Sequence, residues 1–160
     1  MEVAMLSRAV RCALSVVPIL VFAALVPAFA QAPAIQSQDL NAAGFVAELT
    51  EARRSEGVLS LKIRVKNTGA KAERLQIYKD RNADAFYVQA ESKKYFMLTD
   101  TEKVPLTAAW DGFGYLQPQV APGASYTWWA KYPAPPASVK KFSFYWPLGA
   151  PFDDVPITDK

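Results

Sequence analysis

From Gly44 onward the chain alternates. Phe45, Ala47 and Leu49 fall on one side of a two-residue period, and Glu48 and Thr50 fall on the other. Leu59, Leu61, Ile63 and Val65 then interleave with Ser60, Lys62, Arg64 and Lys66. Successive side chains of a strand point to opposite faces, so this pattern predicts two half-buried strands with a polar turn over residues 53–57 between them. Asn67-Thr68-Gly69 ends the second strand with residues that tolerate positive φ. Leu75 and Ile77 begin a third strand, and Phe86, Val88 and Ala90 line one face of a fourth. Glu91-Ser92-Lys93-Lys94 then turns into Tyr95-Phe96-Met97-Leu98. Residues 99–124 read as a long connection broken by Pro105, Pro118 and Pro122, with a short strand expected at 115–117. A strand over 126–132 stops at Pro133, Pro135 and Pro136, a cluster that also suits the protection of a sheet edge. Phe142, Phe144 and Trp146 share a face of the next strand, and Val155-Pro156-Ile157 closes the chain. Helical periodicity never persists beyond a turn or two. The expected fold is all-β: an immunoglobulin-like antiparallel β-sandwich of about seven strands. It occupies residues 44–160 and follows a flexible, polar segment over 31–43.

The first thirty residues break this pattern. Arg8 and Arg11 precede an almost wholly apolar run from Ala13, and Ala28-Phe29-Ala30 provides the small-x-small pattern of a cleavage site. Residues 1–30 therefore read as a signal peptide, and the protein as exported, either periplasmic or secreted. Pro18 and Pro27 interrupt the apolar run, and no basic cluster follows it, so no membrane span is expected after cleavage. Cys12 precedes the apolar run instead of following it, which is the wrong order for a lipid anchor, and twin arginines are absent.

Composition removes whole classes of chemistry. The 160 residues contain no His and one Cys, which excludes Ser-His-Asp and Cys-His catalysis, histidine zinc sites and a histidine pH switch. Cleavage after Ala30 would remove the only cysteine, so the exported domain carries no disulfide and is held by core burial. Eighteen Lys and Arg against 15 Asp and Glu give a formal charge of +3, scattered along the chain, and no nucleic-acid partner is expected. Lys93-Lys94 and Lys140-Lys141 are read as solvated turn charges.

Several short motifs resemble a known group. Leu61-Lys62-Ile63-Arg64-Val65-Lys66 followed by Asn67-Thr68-Gly69 is similar to the strand and Asn-Thr-Gly turn of exported bacterial immunoglobulin-like domains of unknown function. Ser92-Lys93-Lys94-Tyr95 resembles the hairpin that follows there, in a modified form. Ala121-Pro122-Gly123-Ala124-Ser125 resembles their Pro-Gly-x-Ser turn, and Pro151-Phe152-Asp153-Asp154-Val155-Pro156-Ile157 a closing strand. The resemblance implies a sandwich fold and an envelope setting. It is nearly silent on activity, because its motifs are turn chemistry and core aromatics.

The candidate chemistry is therefore that of binding. Trp110-Asp111-Gly112-Phe113-Gly114-Tyr115 interleaves three aromatics with two glycines inside the long connection, a composition suited to a binding loop or to a plug for one end of the sandwich. Trp128 and Trp129 are adjacent in a strand, so one points inward and the other outward. The expected contact residues are Trp110, Phe113, Tyr115 and the outward member of Trp128 and Trp129. Asp80, Asn82, Asp84 and Glu91 fall at positions 1, 3, 5 and 12 of a calcium-loop spacing. Ala85 stands where that loop needs Gly, and strands flank it in place of helices. Asp153-Asp154 is a weaker oxygen-ligand pair. Gly-x-Ser-x-Gly elbows and phosphate cradles are absent, and no carboxylate pair stands out by spacing. The expected function is a monomeric, exported, non-catalytic binding module of the bacterial cell envelope. Its partner would be an envelope protein or a glycan, with no cofactor. The alternative is a calcium- or small-molecule-binding sandwich, and an enzyme is the reading with least support.

Overall fold

The computed structural model describes residues 32–78, 82–108 and 117–160. The leader read from residues 1–30 lies outside them. The described chain is an all-β sandwich of antiparallel sheets. In chain order the strands are β1 (Gln36–Asp39), β2 (Phe45–Ser55), β3 (Val58–Asn67), β4 (Glu73–Arg74), β5 (Tyr87–Ala90), β6 (Lys93–Tyr95), β7 (Gln119–Val120), β8 (Ser125–Pro133), β9 (Lys141–Tyr145), β10 (Phe152–Pro156) and β11 (Thr158–Asp159). One sheet runs β1-β2-β3-β8, with β11 joining β2 in parallel. The facing sheet runs β10-β9-β5-β6, and β4 pairs with β7 in a small ribbon. Among the described residues no helix is long and apolar enough to cross a membrane.

The alternation read from the sequence sets the core. β3 buries Leu59, Leu61, Ile63 and Val65, while β8 buries Trp128, Ala130 and Tyr132. Opposite them the second sheet presents Val88, Phe142, Phe144, Phe152 and Val155. Trp128 is the centre of this packing, with ring centroids 5.7 Å from Phe86, 5.6 Å from Phe144 and 6.4 Å from Trp146. Tilted and edge-on aromatic pairs of this kind add stability beyond the area they bury.

Four local readings change. First, β2 does not stop before a polar turn at 53–57 but continues to Ser55. An extra residue at Thr50 shifts its register, so that Leu49 pairs with Ile63 but Glu51 pairs with Lys62. Such a bulge reverses which side of the strand faces inward. Ala52 and Arg54 therefore point into the sandwich after Phe45, Ala47 and Leu49 have done so. The turn itself is only Glu56-Gly57, both at positive φ (50° and 76°), as a tight two-residue hairpin requires.

Second, residues 36–39 of the segment read as flexible form β1, paired with β2 from Val46 to Leu49. Their small polar composition hides the pairing because β1 is an edge strand, held by backbone and amide bonds. Gln36 and Gln38 each donate a side-chain N–H to the opposite sheet, at Asp153 O in β10 and at Ala150 O just before it, both 2.6 Å. Third, Leu75 and Ile77 are buried but lie just past the two-residue β4, outside any strand. Fourth, the short strand after the long connection is Gln119–Val120, while the expected one at 115–117 falls largely outside the described residues.

The Asn-Thr-Gly turn has a physical reason. Asn67 is fully buried and every polar atom it has is paired. Its N–H donates to Ala124 O (3.0 Å), its C=O accepts from Gly123 N (2.9 Å), and its Oδ1 accepts from Gly69 N (2.9 Å). Its Nδ2 donates to Lys71 O (2.7 Å) and Val120 O (2.8 Å). One residue thus fastens the end of β3 to the turn before β8 through its backbone and to β7 through its side chain. Gly69 is needed beside it, since a Cβ there would stand 3.1 Å from Asn67 Oδ1.

Candidate functional site

Strand β8 settles the orientation of the tryptophan pair. Its register against β3 sets Trp128 opposite Ile63 and Trp129 opposite Lys62, so Trp128 joins the core and Trp129 faces solvent. Trp128 is 1% exposed and its indole N–H donates to Tyr78 Oη at 3.0 Å. Tyr78 Oη shares a 2.8 Å hydrogen bond with Thr107 Oγ1, and Thr107 Oγ1 donates to Trp129 O at 2.8 Å. Burial pushes the Tyr78 phenol above the usual tyrosine range, against the opposing pull of its bonds to Thr107 and Trp128. Trp128 belongs to the framework, not to a binding surface.

Trp129 is 38% exposed, one of three large apolar side chains left in water among the described residues. It borders a groove of about 340 Å³ on the outer face of β2, β3 and β8, together with Glu51, Arg53, Ser60, Lys62 and Lys131. Two cross-strand rows build this groove: Glu51, Lys62 and Trp129 in one, and Arg53, Ser60 and Lys131 in the next. The bulge at Thr50 brings Glu51 and Arg53 onto this outer face. Glu51 accepts from Lys62 Nζ at 2.7 Å and lies 3.5 Å from Arg53 Nε. The backbone beneath is already paired within the sheet, so the groove can act only through side chains.

Of the other expected contacts, Trp110, Phe113 and Tyr115 lie outside the described residues. Among the described residues, Ala108 N–H donates to Trp129 O at 2.8 Å and Lys131 N–H to Leu106 O at 3.0 Å. This covers the outer edge of β8 at residues 129–131.

Among the described residues the calcium spacing is not gathered into one place. Asp80 lies outside the described residues. Asn82 Oδ1 accepts from Asp84 N at 3.0 Å and so caps the single 3₁₀ turn Ala83–Ala85. The whole of β5 then separates Asp84 from Glu91, about 13 Å of extended chain. Glu91 sits in the turn after β5, beside a polar depression with Gln89, Ser143, Lys141 and Asp154. Among the described residues no group of three acidic or thiol ligands converges. Asp153 and Asp154 occupy the irregularity in β10, where Asp154 lies 3.8 Å from Lys141 Nζ. Because the described oxygens do not converge, millimolar calcium is expected to leave the melting temperature unchanged, whereas a ligand that prefers the native state would raise it. A rise of several degrees in a thermal scan would show these oxygens acting together.

A second outward aromatic set was not singled out by the sequence reading. Tyr87 and Tyr145 are cross-strand partners on the solvent face of the other sheet, stacked at 4.8 Å and 10°. Lys94 Nζ covers the Tyr87 ring at 4.2 Å, and Phe96, 45% exposed, lies 6.2 Å away. The signal was present in the alternation: if Phe86, Val88, Phe142 and Phe144 face inward, Tyr87 and Tyr145 must face out. With Tyr145 and Lys94 packed on it, Tyr87 offers a ligand little more than its hydroxyl edge.

Comparison of the chain with protein-family models, with curated proteins and with solved structures finds no match.

Proposed function

We propose that this protein is an exported, non-catalytic binding module of the bacterial cell envelope, an immunoglobulin-like sandwich that works as a monomer on an envelope protein or glycan. The leader pattern of residues 1–30 supports export. The antiparallel sandwich and the Asn67 corner support the immunoglobulin-like reading. The observation that carries the binding role is Trp129: an indole held in water on a rigid sheet, at a groove rimmed by fixed charges. Exposed aromatics on rigid elements are the usual anchors of recognition.

The test is capture of envelope components on the wild-type protein and on a Trp129→Ala variant. Trp129→Ala is expected to change stability by no more than about 1 kcal/mol, because the ring is substantially in water, and to lose the captured partner. A second variant, Trp110→Ala/Tyr115→Ala, reads the aromatic loop separately. A partner kept equally by both folded variants would remove these residues from the contact surface.

A further inference from the structure

We propose that the Trp129 groove takes an acidic polysaccharide, a chain of pyranose rings that carry carboxylates; this rests on the reading of that face as the binding surface. Three features select the class. The first is the backbone. β3 is an interior strand, bonded to β2 on one side and β8 on the other, and residues 106 and 108 bond the outer edge of β8 at the groove. An extended peptide binds by adding to a free edge, and this groove has none to offer. The second is the number of apolar anchors. A docked helix needs a stripe of apolar sites one turn apart, whereas here a single indole stands among charged and hydroxyl groups. One flat, amphipathic ring suits one pyranose, whose C–H face is apolar and whose rim carries hydroxyls.

The third is charge. Arg53, Lys62 and Lys131 surround the indole against one carboxylate, Glu51, which both Lys62 and Arg53 already approach. Lys66 continues the exposed cations along the same face of β3. A neutral sugar would leave this excess of positive charge, three cations against one carboxylate, unmatched. A uronate places its carboxylate at the ring edge, within reach of an ammonium or of the paired N–H groups of Arg53 while the ring lies on Trp129. Ser60, between the two basic strand positions, can bond a sugar hydroxyl.

The experiment is titration calorimetry of the purified protein with polygalacturonate, with the same polymer after amidation of its carboxylates, and with polyglutamate. Polygalacturonate is expected to bind, and to bind more weakly as salt rises from about 0.01 M to about 0.15 M, where screening shortens the reach of exposed charges. Trp129→Ala is expected to weaken binding about tenfold or more, with Trp129→Tyr recovering most of it. Lys62→Gln/Lys131→Gln is expected to flatten the salt dependence. The amidated polymer should bind poorly. Melting curves of each variant verify that it folds.

Polyglutamate binding as tightly as polygalacturonate, with Trp129→Ala neutral, would overturn the proposal in favour of charge alone or an acidic peptide. Failure of polygalacturonate to bind, while an envelope component is still captured through Trp129, would overturn the polysaccharide and leave the binding face standing. Failure of both would remove the two readings together.

Discussion

Trp128→Ala is expected to destabilise the sandwich by about 4 kcal/mol, the middle of the range for removing a large buried aromatic. The indole is almost wholly enclosed and packs on Phe86, Phe144 and Trp146. No neighbouring element is free to collapse into the space, because these rings are themselves fixed by both sheets. A melting temperature lower by on the order of 15 °C is the corresponding thermal readout. Trp128→Phe keeps a ring in the core but removes both the N–H donated to Tyr78 and part of the indole's bulk, at an expected cost of about 2–3 kcal/mol. A double-mutant cycle with Tyr78→Phe should return a coupling near 1 kcal/mol. Coupling near zero would show that the Trp128–Tyr78 bond contributes nothing beyond the fit of the two rings.

The same tryptophan shows which parts of the fold were legible. Strict alternation over 59–65 and the inward rings of 142–146 assigned the sandwich correctly, because period-two burial is a property of the strand itself. What the pattern hides is a break in phase. The bulge at Thr50 adds one residue to β2, and from there the inward positions become Ala52 and Arg54. A polar residue at an inward position reads from sequence as a turn, and only the pairing with β3 shows the strand continuing. β1 was hidden for a related reason. An edge strand whose side chains are Gln, Ser and Asp carries no apolar signal, and its side-chain bonds are to partners more than 100 positions away.

The site was legible only in part. That one of Trp128 and Trp129 faces outward follows from adjacency alone, but which one depends on register with β3. The groove around Trp129 joins residues from 51 to 131 and has no local signature. Conversely, the spacing from Asp80 to Glu91 is local and conspicuous, yet β5 intervenes and carries Glu91 away from Asp84. The 12-residue calcium spacing gathers its ligands only when the intervening backbone is a loop. The outward pair Tyr87 and Tyr145 follows from the same alternation, because Phe86, Val88 and Phe144 beside them face inward.

Arg54→Met is expected to cost about 3 kcal/mol, a large effect for a residue that reads as a surface charge. The side chain is 8% exposed, and its Nη1 donates to three carbonyls: Pro135 O at 3.0 Å, Pro136 O at 2.6 Å and Val139 O at 3.1 Å. Its Nε donates to Asp159 Oδ1 at 2.6 Å, and Lys160 N–H returns to Arg54 O at 3.1 Å. One guanidinium therefore holds the proline-rich connection after β8 and the terminal β11 against β2. Methionine matches the stem but leaves inward-facing carbonyls unsatisfied, at about 1–3 kcal/mol for each that water cannot reach. Arg54→Lys should recover little, since one ammonium cannot span this fan of acceptors. The Asp159 arm has its own signature. The hydrogen bond from Arg54, followed by the charges of Arg54 and Lys140, holds the Asp159 carboxyl below its usual range. A carboxyl lowered in the folded state stabilises above its unfolded pKa, about 3.9, and loses that contribution as pH falls through the lowered value. The gap in melting temperature between wild type and Asp159→Asn should thus be constant near neutrality and close below about pH 4. No gap at neutral pH would mean that β11 is held by its backbone pairing with β2 and not by the charge, and a gap undiminished at pH 2 would assign it to something other than the ionised carboxylate.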